Sequence, residues 1–531
     1  MKRRHSNSLE EEVSVHPWYL TPSFADSFRQ AFTDPTTLSR TPYKLTSDDS
    51  HQEGSIVFHP FHTGKLRNVF PAPFLHSLKA ELASLTWHER SNDLYTFHQT
   101  DDLALNAQPH VKALRDYMAS ELFVSFMESL TGTQLTRGYL DMAAQRYKRG
   151  NHLLCHDDDV QRGKVTRKIA YIIYLVDEQW DPAQDGGALG LFANDGMGCP
   201  TDGVVARLVP EFNSLGFFLT GQASFHTVEE VTVKDAARER WSVTGWFYGP
   251  AADTASDTAS EHALPPPSLV PELLLPAIMP LEETGTNDGD DDAAEWAKWI
   301  NADYLRPNTQ VQIQDSFVGQ SSVELRQFLL PAVFDKVTAD FNNLHLTLLG
   351  PPHLRRYMQA TRLPPPAAED EDATLLGALL AFLRSPSFAR LLTALTSIDT
   401  TGVSQELRKF DRGHYTLIHD QVPEPFGLDV TLSLQPTNGG QAEEWQPDLW
   451  GGATHYIADK DELLRVAPES NSLSLVLRDE GTLRFVKFVN HLAPMSRQEV
   501  AMIFAIAEEE DDDEDDEDDE DDEDDEDDED E

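Results

Sequence analysis

Gln145-Arg-Tyr-Lys-Arg-Gly-Asn-His-Leu-Leu-Cys-His-Asp-Asp158 can be laid on Arg408-Lys-Phe-Asp-Arg-Gly-His-Tyr-Thr-Leu-Ile-His-Asp-Gln421, and that pairing decides the fold. Arg149-Gly150 meets Arg412-Gly413, and His156-Asp157 meets His419-Asp420. Further along, Gly186-Gly187-Ala188 meets Gly451-Gly452-Ala453, and Asn213-Ser214-Leu215 meets Asn471-Ser472-Leu473. Phe225 meets Phe485, and Arg240-Trp-Ser-Val243 meets Arg497-Gln-Glu-Val500. The economical reading is one domain present twice.

The pattern around the two copies says what kind of domain it is. Phe74 to Leu82 and Val111 to Leu130 carry apolar residues at helical spacing. Beyond Gly138 the chain turns strand-like: Ile169 to Val176, Leu215 to Leu219, Phe225 to Val233 and Trp241 to Tyr248 are short apolar, aromatic and β-branched runs. The second copy repeats the order, with helical spacing over Trp296 to Tyr304, Ser322 to Phe341 and Ala373 to Leu395, then strands over 405–507. Several short strands after opening helices predict a mainly β, α+β architecture: two tandem jelly-roll sandwiches with helices packed outside. The expected boundaries are a mostly disordered leader over 1–50 with a few anchoring aromatics, a catalytic domain over 51–250, an acidic and Pro-rich linker over 251–292, a degenerate domain over 293–507, and a disordered acidic tail over 508–531.

Composition limits the classes. The chain of 531 residues exceeds one ordinary domain, and its 40% hydrophobic content, with nine Trp and 27 Phe, suffices for real cores. Two cysteines, Cys155 and Cys199, make no disulfide framework and fit a reducing compartment. No apolar run reaches the roughly 18–20 residues of a membrane span, so no membrane association is expected. The basic Met1-Lys2-Arg3-Arg4-His5 leads into Ser and Glu rather than an apolar segment, unlike a secretory signal. These features predict a soluble intracellular chain. About half of the net charge of −49 lies in the unbroken acidic run of 24 residues from Glu508 to Glu531. Such a run repels itself and has nothing apolar to bury. It reads either as a solubilising tail or as an electrostatic lure for a basic partner. Sequence-specific nucleic-acid binding is disfavoured, because phosphate contacts need clustered Lys and Arg.

The chemistry concentrates in the first copy. His156 and Asp158, with His226 seventy positions on, form a His-x-Asp…His set. Two imidazoles and one carboxylate cover one face of a metal ion and leave other positions open, as in non-haem Fe(II) oxygenases. In a strand, residues two apart share a face, which would put His156 and Asp158 on one side. Arg240, fourteen residues after His226, stands in an otherwise apolar strand and offers a cation for the far carboxylate of 2-oxoglutarate. Arg238 is its rival, and a structural salt bridge is the alternative use. Tyr147 could give its hydroxyl to the same carboxylate, or could be a buried core tyrosine. The second copy has Gln421 for Asp158 and Val486 for His226, so it cannot hold iron, and His419 reads as a buried relic.

The chain resembles the eukaryotic 2-oxoglutarate- and Fe(II)-dependent ribosomal prolyl hydroxylases over roughly residues 55–505. The resemblance rests on Asn92 to Leu103, Leu154-Cys-His-Asp-Asp158, Arg167 to Leu175 and Arg240-Trp-Ser-Val-Thr-Gly-Trp-Phe247. It departs at Trp241, where an aliphatic residue is expected. It implies two double-stranded β-helix domains, the first catalytic. It also implies Fe(II) on His156, Asp158 and His226, 2-oxoglutarate on Arg240 and Tyr147, O2 as cosubstrate, and L-ascorbate (vitamin C) as reductant. The implied substrate is a proline of a small-subunit, decoding-centre ribosomal protein, hydroxylated at ring C3 or at both C3 and C4, with effects on translation termination. Nuclear and cytoplasmic location, termination factors as partners and a regulatory partner on the C-terminal domain follow from the same resemblance. A different class stays open: a non-catalytic platform in translation-termination or oxygen-responsive complexes. A metal-dependent hydrolase or isomerase on a similar barrel would have no use for Arg240.

Overall fold

The computed structural model describes residues 13–251, 277–281, 289–363, 374–418, 426–435, 444–459 and 461–507, positions 35, 37, 38 and 40 excepted. Its first unit is one wrapped antiparallel sheet. The strands are β1 (Tyr43–Thr46), β2 (Glu53–Val57), β3 (Thr63–Arg67), β4 (His88–Ser91), β5 (Tyr95–Gln99), β6 (Ala143–Tyr147), β7 (His152–His156), β8 (Gln161–Arg162), β9 (Val165–Tyr174), β10 (Leu189–Asn194), β11 (Pro200–Leu208), β12 (Ser214–Leu219), β13 (His226–Val228) and β14 (Arg240–Pro250). They run in the order β1-β2-β3-β12-β9-β14-β6-β5-β7-β13-β10-β11. Strand β5 pairs β6 through His98 and Arg146 and pairs β7 through Tyr95 and Leu153, so the sheet turns a corner there.

Alternation along β9 shows how the layers separate. Ile169, Tyr171 and Ile173 enter the large core, while Ala170, Ile172 and Tyr174 enter a cluster on the opposite face. With β12 on one side and β14 on the other, β9 is buried on both faces, which suits its β-branched and aromatic composition. The outer core is covered by helices Pro22–Thr33, Ala72–Ala83, Pro109–Met118 and Glu121–Thr131. The single helix expected over Val111 to Leu130 is two, because Ser120 accepts from Phe123 N and starts a new one.

The expected disordered leader is corrected for the described residues 13–50. Phe24, Phe28 and Phe32 stack along one face of the Pro22–Thr33 helix, and Phe28 and Phe32 lie 5.9 and 5.7 Å from Phe217 of β12. Gly64 makes room for Phe217, whose ring would stand 2.4 Å from any Cβ there. Strand β1 then pairs β2 and extends the sheet. The domain therefore begins well before residue 51.

The second unit repeats ten strands of the first in the same order. Its large sheet runs Ser322–Arg326, Ser472–Arg478, Gly427–Ser433, Arg497–Ile506, Thr400–Phe410, Arg355–Ala360 and Leu346–Leu349, which matches β3-β12-β9-β14-β6-β5-β4. A small sheet of Asp461–Val466, Thr454–Ala458 and Leu483–Val486 matches β11-β10-β13. The turn chemistry is copied too. Asn213 (φ 56°) exchanges two bonds with the Phe70 backbone, and Asn471 (φ 54°) does the same with Leu329. Gly186 and Gly451 sit at φ 68° and 69°, each beneath a Trp, Trp180 or Trp445, whose indole N–H donates to the glycine carbonyl.

Ser322 to Phe341 is not one helix: Ser322–Arg326 is a strand on Ser472–Arg478, and the helix starts at Pro331. Trp296 ends a helix (Gly289–Trp296) rather than beginning one, and Pro386 splits the Ala373 to Leu395 pattern into Leu375–Leu383 and Pro386–Thr396. Both of those helices are packed in the second core, and among the described residues no single helix is long and apolar enough to cross a membrane. Parts of the expected linker belong to the second unit, since Met279–Pro280 pairs Val403 and Gly402, and Asp292 is salt-bridged to Arg390 at 2.5 Å. His419, residues 1–12, the Pro364–Pro366 loop and the tail over 508–531 lie outside the described residues.

Candidate metal and cosubstrate site

Strands β7 and β13 pair His156 with His226 directly across the ladder, at 4.2 Å between ring centroids. Each Nδ1 is tied to a carbonyl two residues back, His156 to Leu154 O at 2.8 Å and His226 to Ser224 O at 2.7 Å. That fixes both Nδ1 atoms as donors and leaves both Nε2 atoms as free acceptors turned inward. The Nε2 atoms lie 3.6 and 3.4 Å from the two Asp158 oxygens, and three ligand atoms fall within 4.8 Å of one another. The expected strand alternation is not how Asp158 arrives. Strand β7 stops at His156, and Asp158 lies beyond it at φ 63°, the left-handed region that Asp tolerates better than most residues.

The protonation states suit a cation. Burial, with His226 next, pushes His156 down to about 4. Burial alone would raise Asp158, but His156, His226 and Arg167 outweigh it and hold the carboxyl below the usual range. At neutral pH the set therefore offers a neutral His156 imidazole and an ionised carboxylate, the forms that ligate. Asp158 is gripped from behind by Trp246, whose Nε1 donates at 3.0 Å, and by Arg167 at 3.5 Å. The Arg167 guanidinium itself lies over the Trp246 ring, 3.6 Å from its centroid.

A cavity of about 330 Å³ opens from this triad between the two halves of the sheet. Its inner end is Arg240, 1% exposed. Nε donates to Gly187 O at 2.7 Å and Nη1 to Ser242 Oγ at 3.4 Å, while Nη2 has no partner among the described residues. Gly187, at φ 71°, could not be replaced: a Cβ there would meet Arg240 Cδ at 2.7 Å. A buried guanidinium without a carboxylate is costly unless an anion arrives. The second unit shows the satisfied version. Arg497, at the position of Arg240, donates to Gly452 O at 2.6 Å and also to Glu499, which stands where the first unit has Ser242. Arg408, at the position of Gln145, pairs with the same Glu499 at 2.6 Å. The carboxylate missing beside Arg240 is built in beside Arg497.

Of the residues expected from sequence, His156, Asp158, His226 and Arg240 all line this cavity. Arg238 does not; it bonds Asp185 at 2.9 Å and Asp177 at 3.3 Å, which is the structural salt bridge. Tyr147 is buried beside the cavity wall. Its hydroxyl donates to Gln145 Oε1 at 3.1 Å, its ring packs 5.1 Å from the Arg240 guanidinium, and it is not on the cavity wall. The uncharged amide and hydroxyl side chains lining the cavity are Gln99, Gln145, Ser242 and Thr244. Trp246 and Arg167 were missed as site residues. The two-residue period 240-242-244-246 along β14 carried the signal for Trp246, because alternate residues of that strand all face the cavity.

Comparison with known proteins agrees with this geometry. Residues 142–248 match the model of the 2OG-Fe(II) oxygenase superfamily, and residues 291–513 match the oxoglutarate and iron-dependent oxygenase degradation C-terminal domain. The prolyl 3-hydroxylase OGFOD1 of Xenopus laevis is 33% identical, over 82% of this chain and 83% of its own. Its Mus musculus counterpart is 31% identical, over 85% of this chain and 87% of its own. The prolyl 3,4-dihydroxylase OGFOD1 of Ostreococcus tauri is 30% identical, over 84% and 96%.

Proposed function

The chain belongs to the prolyl 3-hydroxylase family of 2-oxoglutarate- and Fe(II)-dependent oxygenases, and from that premise we propose that its substrate is a proline of a small-subunit ribosomal protein. It is a 2-oxoglutarate-dependent peptidyl-prolyl hydroxylase of jelly-roll fold. The observation that carries the chemistry is the unpartnered Nη2 of buried Arg240, in the same cavity as the His156–Asp158–His226 set. The donor set fits Fe(II), two imidazoles and a carboxylate on one face, and the orphaned guanidinium fits one end of a dicarboxylate. Fe(II) held by these three side chains, with 2-oxoglutarate and O2, would supply the oxidative chemistry that hydroxylates the ring.

The chain's own groups bind and position. His156 and His226 present Nε2, and Asp158 is kept ionised and oriented by Trp246 and Arg167. Arg240 holds the remote carboxylate, with Ser242 and Gln145 beside it. Ile172, Leu189, Phe218 and Val228 line the cavity and keep water away, which strengthens each charged contact. No side chain acts as nucleophile or general base, so rate comes from placement.

The finer reading rests on the sequence motifs and on charge. Ring C3 is the proposed position, with C4 as a second step. L-Ascorbate is the proposed reductant, and nucleus and cytoplasm are the proposed locations. An excess of 91 acidic over 42 basic residues suits a basic ribosomal protein as partner. Effects on translation termination and on oxygen-responsive complexes are the proposed consequences. A docking role for the second unit, for termination factors or a regulatory partner, accompanies this reading. Its support is that the unit keeps its fold while Glu499 fills its own anchor site. Mass spectrometry of small-subunit ribosomal proteins from cells with and without this protein tests the proposal. A proline-borne oxygen that disappears on deletion is expected; an unchanged hydroxylation pattern would overturn it.

A further inference from the structure

The turn between β4 and β5 walls the cavity with Leu94 and Tyr95, and that turn is held from the other unit. Lys487 reaches across the domain boundary and donates to Ser91 Oγ and Tyr95 O, both at 3.1 Å, and to Asn92 O. Asp93, 6% exposed at the tip of the turn, accepts from the backbone N–H of Ile418 at 2.9 Å. Leu94 packs into a cluster with Leu154 of β7 and with Tyr415, Leu417 and Phe488 of the second unit. Phe488 also lies 4.0 Å from the ring of His152, on the strand that ends in His156. Burial draws the Lys487 ammonium down to about 8, with Asp93 opposing, as expected of a lysine used inside an interface.

Register corrects the sequence alignment here: Thr454 faces Val486 as Leu189 faces Val228, so Arg484, not Val486, holds the position of His226, and Lys487 holds that of Glu229. The strand that begins with a metal ligand in one unit thus leads into a clamp in the other. A turn of four residues has little hydrophobic area of its own, so its conformation depends on these ties.

We propose that Lys487 is a positioning residue for the hydroxylation, clamping the 92–95 turn so that Leu94 and Tyr95 form the wall against which the protein substrate is seated. The second unit is then part of the substrate site without contributing to the metal or the 2-oxoglutarate anchor. This rests on the oxygenase reading of the cavity.

The test uses the full chain with Fe(II), 2-oxoglutarate and the small-subunit ribosomal proteins as substrate. Lys487→Met is expected to raise KM for the protein substrate by about fivefold or more, with KM for 2-oxoglutarate within about twofold. Lys487→Arg, which keeps a donor cation, should recover part of the loss. Hydrogen exchange should accelerate over residues 91–97 and leave β9 and β14 unchanged. Asp93→Ala, which cuts the second tie and leaves Lys487 in place, should act in the same direction if the first variant fails to fold. Unchanged exchange over 91–97 in both variants, or an equal rise of both KM values, would overturn the proposal. Should the unaltered protein make no succinate from 2-oxoglutarate, the oxygenase reading falls, and the exchange data still decide whether the clamp exists.

Discussion

Replacing Arg240 by Ala removes the guanidinium at the inner end of the cavity. The bound-state pair would be a fully buried guanidinium with a carboxylate, like Arg497 with Glu499 at 2.6 Å in the second unit. Truncating one partner of such a desolvated pair costs on the order of 2–5 kcal/mol, which is roughly 30-fold to a few thousandfold in the 2-oxoglutarate requirement. Arg240 is also a packing element, lying against Gly187 and between the rings of Tyr147 and Tyr174. Arg240→Lys separates the two effects, since it keeps charge and most of the stem but loses the fork. Succinate formation as a function of 2-oxoglutarate, with thermal stability measured in parallel, is the assay. Arg238→Ala is the control: its salt bridges are partly exposed and worth about 0–1 kcal/mol, spent on stability rather than cosubstrate. A larger cosubstrate defect in Arg238→Ala than in Arg240→Ala would refute the assignment.

Asp158→Ala or His226→Ala should abolish 2-oxoglutarate turnover while the far-ultraviolet circular dichroism stays native, because the scaffold holds the other two ligands in place; retained iron-dependent succinate production in either variant would sink the ligand set. Phe28→Ala, in the helix first expected to be disordered, should cost about 3–5 kcal/mol in urea denaturation, the range for emptying a buried aromatic site; a loss under about 1 kcal/mol would mean that the helix does not support the core. Truncation after Ala507 should leave turnover of a short, weakly charged prolyl peptide unchanged but slow hydroxylation of the full basic protein, with the gap closing as salt shrinks the screening length below about 8–10 Å. Equal rates on the full protein at low salt would leave the tail a solubilising role alone.

The duplication was legible because its markers are backbone requirements. Gly150 and Gly413 both sit at φ 86°, and Asn213 and Asn471 both make the same left-handed corner, so drift in the surrounding letters could not erase them. The metal set was legible because ligation restricts residue type. Tyr147 was only half legible: a tyrosine one strand over from Arg240 either bonds the ligand or shields the guanidinium, and sequence does not tell which way a ring turns. The Pro22–Thr33 helix escaped notice because its three phenylalanines are diluted by polar neighbours when the leader is judged by average composition. The Lys487 clamp joins residues nearly four hundred positions apart, and no local pattern marks it.

Glu499 gives the two halves of the molecule different thermodynamics. A unit that binds a metabolite only when folded gains stability as that metabolite accumulates, by the logarithm of its saturation. The first unit, with Arg240 unpaired, is of this kind, and its melting should follow the supply of cosubstrate. The second unit carries its anion covalently, tethered two residues from Arg497, so its melting should ignore that supply. Through Lys487, Ile418 and Phe488 the indifferent half is bolted to the responsive one. A starved enzyme would therefore loosen around its cavity first, held on one side by a neighbour that never empties.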